Sequence, residues 1–520
     1  MDEIDTLIIK LIKLAIIPVL THIVNLSIGT GVFPTFWKKS KIIPLHKKED
    51  LLNPKNYRPV AIIPIFSKIL EKIVFDQVVE YLATNNLIHP NHHAYRADHN
   101  TTTALIQLYD VWLEAIEKGK LAGVGFLDMS AAFDIVDHNI LLDKLKLYGF
   151  DGHFVEWTSS YLRDRSQSVC IDGCLSSLRP VLHGVPQGSI LGPLLYTLFT
   201  NELPEVTHEH RQLSHEQSWP SFSMSCLDCG SVACYADDTT FTCSHADPDQ
   251  LSQKLSEKYS VLSDFLVSNK LKLNDDKTHL MVMSTSKARP NRLAGSQVQI
   301  KTPTEIIQQS KSEKLLGGIL HQDMKWSEHI LEHEESLVRS LNSRLGAVKL
   351  VSKVASFRNR KMIANGIFLS KLTYLMPLWG GCSKGLVKTL QTIQNKAARA
   401  VTKLDWNTPT LVHLQQCGWL SVQQLIFYHS VLLVYKVLNT KSPKYLYDMF
   451  STPYNYKTRQ ADDVKIRHEQ KLKLDLAADG FRWRASEQYN LLPLSIRNIA
   501  TFTKFKTEAK NWIRKNVDYN

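Results

Sequence analysis

The sequence Tyr235-Ala236-Asp237-Asp238 lies between two short β-prone runs, Ser231 to Tyr235 and Thr239 to Cys243, and constrains the fold more than any other stretch of this chain. Read as a hairpin, it places two adjacent carboxylates at the tip of an antiparallel pair. Neighbouring anions repel one another, so such a tip is tolerated where solvent or a divalent cation offsets the charge. An isolated Ala-Asp-Asp also suits a solvated turn, because Asp bonds readily to its own backbone. A second acidic strand end shifts the reading toward metal binding: the apolar run Gly123-Val124-Gly125-Phe126-Leu127 ends in Asp128 and continues as Met129-Ser130-Ala131-Ala132-Phe133-Asp134. A strand ending in Asp and turning into a helix puts that carboxylate at a sheet edge, within reach of the hairpin tip. Three converging carboxylates suit Mg²⁺, a hard cation that takes one or two protein carboxylates together with substrate phosphates. Such a site can hold two ions about 3.5–4 Å apart for an in-line phosphoryl displacement.

Between the acidic elements lies Gly184-Val185-Pro186-Gln187-Gly188-Ser189-Ile190-Leu191-Gly192-Pro193, a Gly/Pro-punctuated entry into an apolar helix. The order Phe-Leu-Asp with Ala-Phe-Asp, then Pro-Gln-Gly-Ser with Gly-Pro, then Tyr-Ala-Asp-Asp resembles the A, B and C motifs of reverse transcriptases, specifically those of non-LTR (LINE-type, jockey-like) retrotransposons. Upstream, Asn56-Tyr57-Arg58-Pro59-Val60, His93-Ala94-Tyr95-Arg96 and Thr101-Thr102-Thr103 look like that family's fingers motifs. Downstream, Leu271-Lys272-Leu273-Asn274 with Lys277-Thr278 is similar to motif D. Leu315-Leu316-Gly317-Gly318 with Trp326 and His329-Ile330 is similar to the primer-grip region. The resemblance spans roughly residues 28–400.

It implies an α+β right-hand polymerase, with a palm built on an antiparallel sheet backed by helices, fingers of helices and strands, and an α-helical thumb. The expected divisions are a helical lead-in (1–37), fingers (38–120), palm (121–330, with the reverse transcriptase domain at about 28–325), a basic helical thumb (331–404) and a C-terminal region of underived role (405–520). By the resemblance, Asp128, Asp237 and Asp238 are catalytic and metal-binding, holding two Mg²⁺ ions with Mn²⁺ as a substitute. Phe133 occupies the place of the sugar gate that excludes a ribose 2′-hydroxyl; a core aromatic is the plainer alternative. Gln187 and Gly188 would line the incoming nucleotide and template, Gly allowing close backbone approach. Arg58 and Arg96 are candidates for triphosphate contact, since guanidinium binds phosphate bidentately. Lys277 would meet the pyrophosphate or supply a proton. Asp134 reads as a structural residue at a helix start. The implied partners are an RNA template, a DNA primer or target DNA, and dNTPs.

Composition agrees with a polyanionic partner. The 520 residues carry a net charge of +12 and a pI near 9.1. From Leu337 to Leu404 there are thirteen Lys or Arg and no Asp or Glu, which accounts for the whole surplus. A thumb that tracks phosphates needs such a segment; a solvated helical face is the bland alternative. The eight cysteines include Cys226-Leu227-Asp228-Cys229, followed by Cys234, Cys243 and His245, but Cys234 feeds the acidic hairpin and zinc is not expected. His208, His210 and His215 fall in a polar insertion at irregular spacing and read as solvated. The apolar run Leu7 to Ile28 is broken by Lys10, Lys13, Pro18 and His22, which predicts amphipathic helices rather than a membrane span. An intracellular, soluble protein is expected; nuclear access, which the implied function needs, is not legible. No endonuclease fits before Trp37 and no Cys/His knuckle closes the chain, so the sequence reads as the polymerase and terminal part of a larger frame. Two functional readings stand: an active RNA-directed DNA polymerase, or a catalytically silent nucleic-acid-binding relic. An RNA-dependent RNA polymerase is disfavoured by Phe133, where an acidic residue is usual, and by Ala236, where Gly is usual.

Overall fold

In the principal sheet, strand β3 (Leu121–Leu127) is apolar throughout and buried on both faces, so it can only be central. A computed structural model describes residues 6–47, 50–129, 131–206, 231–274, 277–285, 293, 296–303, 305–405, 407–451, 466 and 474–518. The His208, His210 and His215 cluster and the Cys226/Cys229 pair lie outside the described residues.

Around β3 the strands are β7 (Ser231–Tyr235), β8 (Asp238–His245), β9 (His279–Met283), β10 (Gln299–Lys301) and β11 (Ile306–Ser310), in the order β10-β11-β9-β3-β8-β7. The pairs are antiparallel except β11 with β9, which is parallel. From its polarity and its Pro-containing break the stretch Ser284 to Ser312 reads as a surface hairpin or loop; β10 and β11 within it do pair as a hairpin, which joins the sheet through β9.

Period-two alternation divides the side chains between two cores. Ala122, Val124, Phe126, Ala233, Met281 and Met283 face one, where the helix Thr101–Glu117 packs. Leu121, Leu127, Val232, Cys234, Leu280 and Val282 face the other, under the helix Pro248–Ser268. Trp112, fully buried, donates its indole N–H to Thr242 Oγ1 at 3.0 Å, fixing the first helix on the sheet. The ring of Phe241 lies where a side chain on Gly125 would project, which explains a glycine in mid-strand.

A second sheet is built from β1 (Lys39–His46), β2 (Tyr57–Ile62), β4 (Arg165–Ile171), β5 (Cys174–Leu175) and β6 (Arg179–Val181), in the order β2-β1-β4-β5 with β6 also on β4. Ile42 to Leu45, an apolar run with basic flanks that reads as the start of a strand, lies within β1. A two-stranded ribbon, β12 (Ser312–Leu315) with β13 (Gly318–His321), leads into a helical region that includes Leu337–Val354, Lys384–Thr402, Val422–Thr440, Phe481–Leu491 and Phe502–Asn516. One continuous core runs from Leu105 through these helices to Ile513, so the expected division at 404/405 crosses a single packed unit.

The N-terminal helices, Thr6–Leu11 and Lys13–Thr30, are not amphipathic as expected. Leu14, Ile17, Val19 and Leu26 are all exposed on the second of them. By length and composition alone Lys13–Thr30 is long and apolar enough to cross a membrane. The stretch Thr410–Thr440 passes the same test but is mostly buried within the protein.

Candidate active site

The acidic hairpin forms as the sequence predicts. Tyr235 pairs with Asp238, leaving Ala236-Asp237 as a two-residue turn. Ala236 adopts φ +57°, a conformation that costs a non-glycine residue about 1 kcal/mol. Leu127 pairs with Thr239, so the next position along the ladder sets Asp128 opposite Asp238. Beyond that point β3 departs from β8 and its backbone is held from the other side. The Asp128 carbonyl accepts the N–H of Asn274 at 3.0 Å, and Met129 bridges to Leu273. The segment expected as motif D therefore lies against the end of β3. Lys277 Nζ stands 3.5 Å from Asp128 Oδ2, both groups being solvent-accessible.

Burial, together with the charges of Asp237 and Asp128, pushes the Asp238 carboxyl up to about 6. Asp238 thus feels the charge of both other acids. As placed, however, no group of three His, Cys, Asp or Glu side chains among the described residues is arranged to hold a metal ion.

The Gly/Pro-rich loop is bonded to both neighbouring layers. Gly184 N–H donates to the Val136 carbonyl and Val185 N–H to the Phe133 carbonyl, each at 2.8 Å, which ties the loop to the segment after Asp128. The carbonyl of Gln187 accepts the N–H of Ala61 at 2.7 Å, tying it to β2. Gly188 has φ +122°, and a Cβ there would lie 2.3 Å from the Ala61 carbonyl oxygen; only glycine fits. The Gln187 side-chain amide donates to both Asp134 carboxylate oxygens, at 3.0 and 3.1 Å. Asp134 is therefore not a helix cap. That role falls to Asp137, which accepts the N–H groups of Asn139 and Ile140 at the start of His138–Leu147. Phe133 is half-buried, its ring 4.5 Å from that of the fully buried Tyr196.

The two arginines differ. Arg58 is exposed on β2. Arg96, expected at a triphosphate, directs Nη1 to the carbonyls of His89 and His92 at 3.0 and 2.9 Å, and burial lowers its pKa. Its guanidinium thus ties together the 89–96 loop.

That loop carries residues that sequence reasoning missed. Asn91 and His93 bond through their backbones to both sides of Cys234, each at 2.9 Å, and His92 bridges Cys234 in parallel. Running alongside β7, the chain reaches the level of the hairpin tip at Tyr95, which is exposed and has φ +58°. Burial and the charge of Asp237 raise the pKa of the Tyr95 phenol. The signal lay inside the His93-Ala94-Tyr95-Arg96 motif, where the arginine drew the attention. Behind the tip, Tyr374 donates its hydroxyl hydrogen bond to the carbonyl of Leu316, in the β12–β13 turn, at 2.8 Å.

Of the thirteen cations between 337 and 404, Arg339, Lys349, Lys353, Arg358, Lys384, Lys388, Lys396, Arg399 and Lys403 are exposed. Arg344 and Arg360 instead bond backbone carbonyls, of Ile367 and of Ala355 and Val401. Cys234 and Cys243 are buried free thiols.

An acidic hairpin beside the end of a buried central strand, with a glycine-bearing loop stitched across to a second sheet, is the arrangement of a nucleic-acid polymerase palm, and residues 45–320 match the family described as reverse transcriptase (RNA-dependent DNA polymerase). The chain belongs to that family. Its relatives are polymerases of non-LTR retrotransposons: it is 26% identical over 406 residues to the RNA-directed DNA polymerase from mobile element jockey of Drosophila melanogaster, covering 78% of this chain and 42% of that protein. It is 25% identical over 392 residues to the probable RNA-directed DNA polymerase from transposon X-element of the same fly, covering 74% and 40%. The chain thus spans under half the length of these relatives. Among solved structures, telomerase from Candida albicans in complex with a fragment of telomeric RNA is similar with a TM-score of 0.42 and 12% identity, covering 80% of this chain and 66% of that one.

Proposed function

We propose that this chain is an RNA-directed DNA polymerase that extends the 3′-hydroxyl of a DNA primer or nicked target DNA with dNTPs on an RNA template. The observation that supports the reading is the register that brings the end of β3, and with it Asp128, beside the turn carrying Asp237 and Asp238. The donor set, three carboxylates with hard oxygens, fits Mg²⁺ and equally Mn²⁺. Two such ions, when bound, would activate the attacking oxygen and stabilise the leaving one. Asp128, Asp237 and Asp238 would hold them.

The remaining groups position substrate and balance charge, as phosphoryl transfer requires. Lys277, beside Asp128, would meet the leaving phosphates or supply a proton. Arg58, exposed on β2, is the arginine free to meet a triphosphate, whereas Arg96 acts through the fold of its loop. Phe133, half-buried against Tyr196, would obstruct a 2′-hydroxyl and so favour deoxynucleotides. Gln187 and Gly188 hold the loop over which nucleotide and template would pass. The exposed cations after Leu337 supply sequence-independent phosphate contact, and residues 38–120, 121–330 and 331–404 would act as fingers, palm and thumb.

Primer extension on oligo(dT)-primed poly(rA) with Mg²⁺ tests the reading, with an Asp237→Ala/Asp238→Ala control and a parallel UTP lane. Extension with dTTP alone, abolished in the control, is the expected result. A folded protein that binds the template and extends nothing would instead be the silent binding relic.

A further inference from the structure

The loop carrying Tyr95 is held from two sides. On one side are the backbone bonds of Asn91 and His93 to Cys234, one strand from the acidic tip. On the other side is the region beyond residue 405, whose role the sequence leaves open. Tyr445 lies edge-on to the His93 ring at 5.3 Å and to the His99 ring at 5.8 Å. Lys436 Nζ forms an ion pair with Asp98 at 2.7 Å. His93 is fully buried, and neither of its ring nitrogens has a hydrogen-bond partner. It is held by ring packing instead, between the Tyr445 and His99 rings. Asp98, like Tyr95, has positive φ, a conformation that a short acidic side chain tolerates. The strained, exposed tyrosine thus sits in a segment fixed at its base by the palm and beyond it by the C-terminal helices.

Lys277 flanks the tip on the Asp128 side. Tyr95 flanks it on the β7 side, at the sheet's edge, beside Asp237 and Tyr235. An exposed aromatic ring at this place suits a base or sugar face more than a phosphate.

We infer that Tyr95 contacts the 3′-terminal nucleotide of the primer, and that the C-terminal region positions it through Lys436 and Tyr445. The inference rests on the polymerase reading above, and binding measurements separate the two. A primer bearing 2-aminopurine at its 3′ end, annealed to RNA, reports contact at the terminus; the same probe about eight nucleotides upstream, within the span such a groove covers, is the control. Terminal fluorescence should change on binding of the full chain, and Tyr95→Ala should abolish that change and weaken terminal binding about tenfold, the effect of losing one base–aromatic stack. The upstream probe should be unaffected. Tyr95→Phe keeps the ring and should behave as the parent does. Lys436→Glu should weaken the terminal signal about two- to threefold, as loss of a partly exposed ion pair would, and Lys436→Arg should restore it. If extension is active, Tyr95→Ala should raise KM for primer and leave KM for dTTP unchanged. A terminal signal indifferent to Tyr95→Ala in a folded protein overturns the inference even if extension succeeds. The tyrosine-dependent signal in a chain that extends nothing would uphold it while the polymerase reading fails.

Discussion

Substituting Gly188 with alanine tests the joint between the Gln187 loop and β2. The added Cβ would lie 2.3 Å from the Ala61 carbonyl oxygen, so the backbones must separate by about 0.7 Å to reach 3.0 Å, below which such contacts essentially do not occur. Ala61 has little freedom to retreat, because it is paired with Ile42 in the sheet. Moving the loop instead stretches the 2.7 Å bond from Ala61 N–H to the Gln187 carbonyl, at a cost of about 1 kcal/mol. An alanine held at φ +122° adds about 1–3 kcal/mol of strain. Together these make a destabilisation of about 2–4 kcal/mol, concentrated where the nucleotide is proposed to sit. Gly188→Ala should therefore lower the melting temperature and raise KM for dTTP in the primer-extension assay. A variant that melts with the parent and keeps its KM would refute the argument that close approach requires glycine there.

Gly346, in the helix Leu337–Val354, has nothing within 4 Å of the place an added methyl would take, so Gly346→Ala should stabilise by about 0.5–1 kcal/mol in the same melting assay. His329 is buried, accepts the Ile319 N–H, and is held down to about 4 by burial; the unfolded chain takes up its proton near 6.5. Its contribution is full above pH 6.5 and is lost as pH falls toward 4, by up to about 3 kcal/mol. Urea titrations at about pH 7.5, above that window, and at about pH 4.5, near its lower end, should show most of the loss, and His329→Gln should reduce it. Phe133→Val should raise UTP incorporation relative to dTTP about 10–100-fold, a discrimination of the size one steric contact supplies; an unchanged ratio would make Phe133 a core aromatic only. Replacing Lys396 and Arg399 with Gln should flatten the logarithmic salt dependence of template binding by about one for each phosphate no longer neutralised, as read by fluorescence anisotropy; an unchanged slope would mean that these cations face away from nucleic acid.

By itself the sequence determined the local devices: the two-residue acidic turn at Ala236-Asp237, the apolar strand ending in Asp128, and the glycine at position 188. Each follows from periodicity or a backbone requirement carried by a few adjacent residues. It also determined the family, since the motifs occur in a fixed order along the chain. What depends on contacts between distant segments was decided only by the tertiary structure. Arg96 and Arg58 look alike in sequence, yet one is bound to the carbonyls of its own loop and the other stands in solvent. Asp134 and Asp137 are both plausible helix starters three residues apart, and only the packed loop shows that Asp137 caps while Asp134 takes the Gln187 amide. The stretch 284–312 reads as a surface hairpin or loop, and β10 and β11 do form a hairpin, but only the tertiary structure joined it to the edge of β9 and so to the sheet. Tyr95 came to the acidic tip through backbone bonds to a strand about 140 residues away, and the C-terminal helices joined the core of Thr101–Glu117 because an apolar face must be covered from whatever part of the chain supplies one.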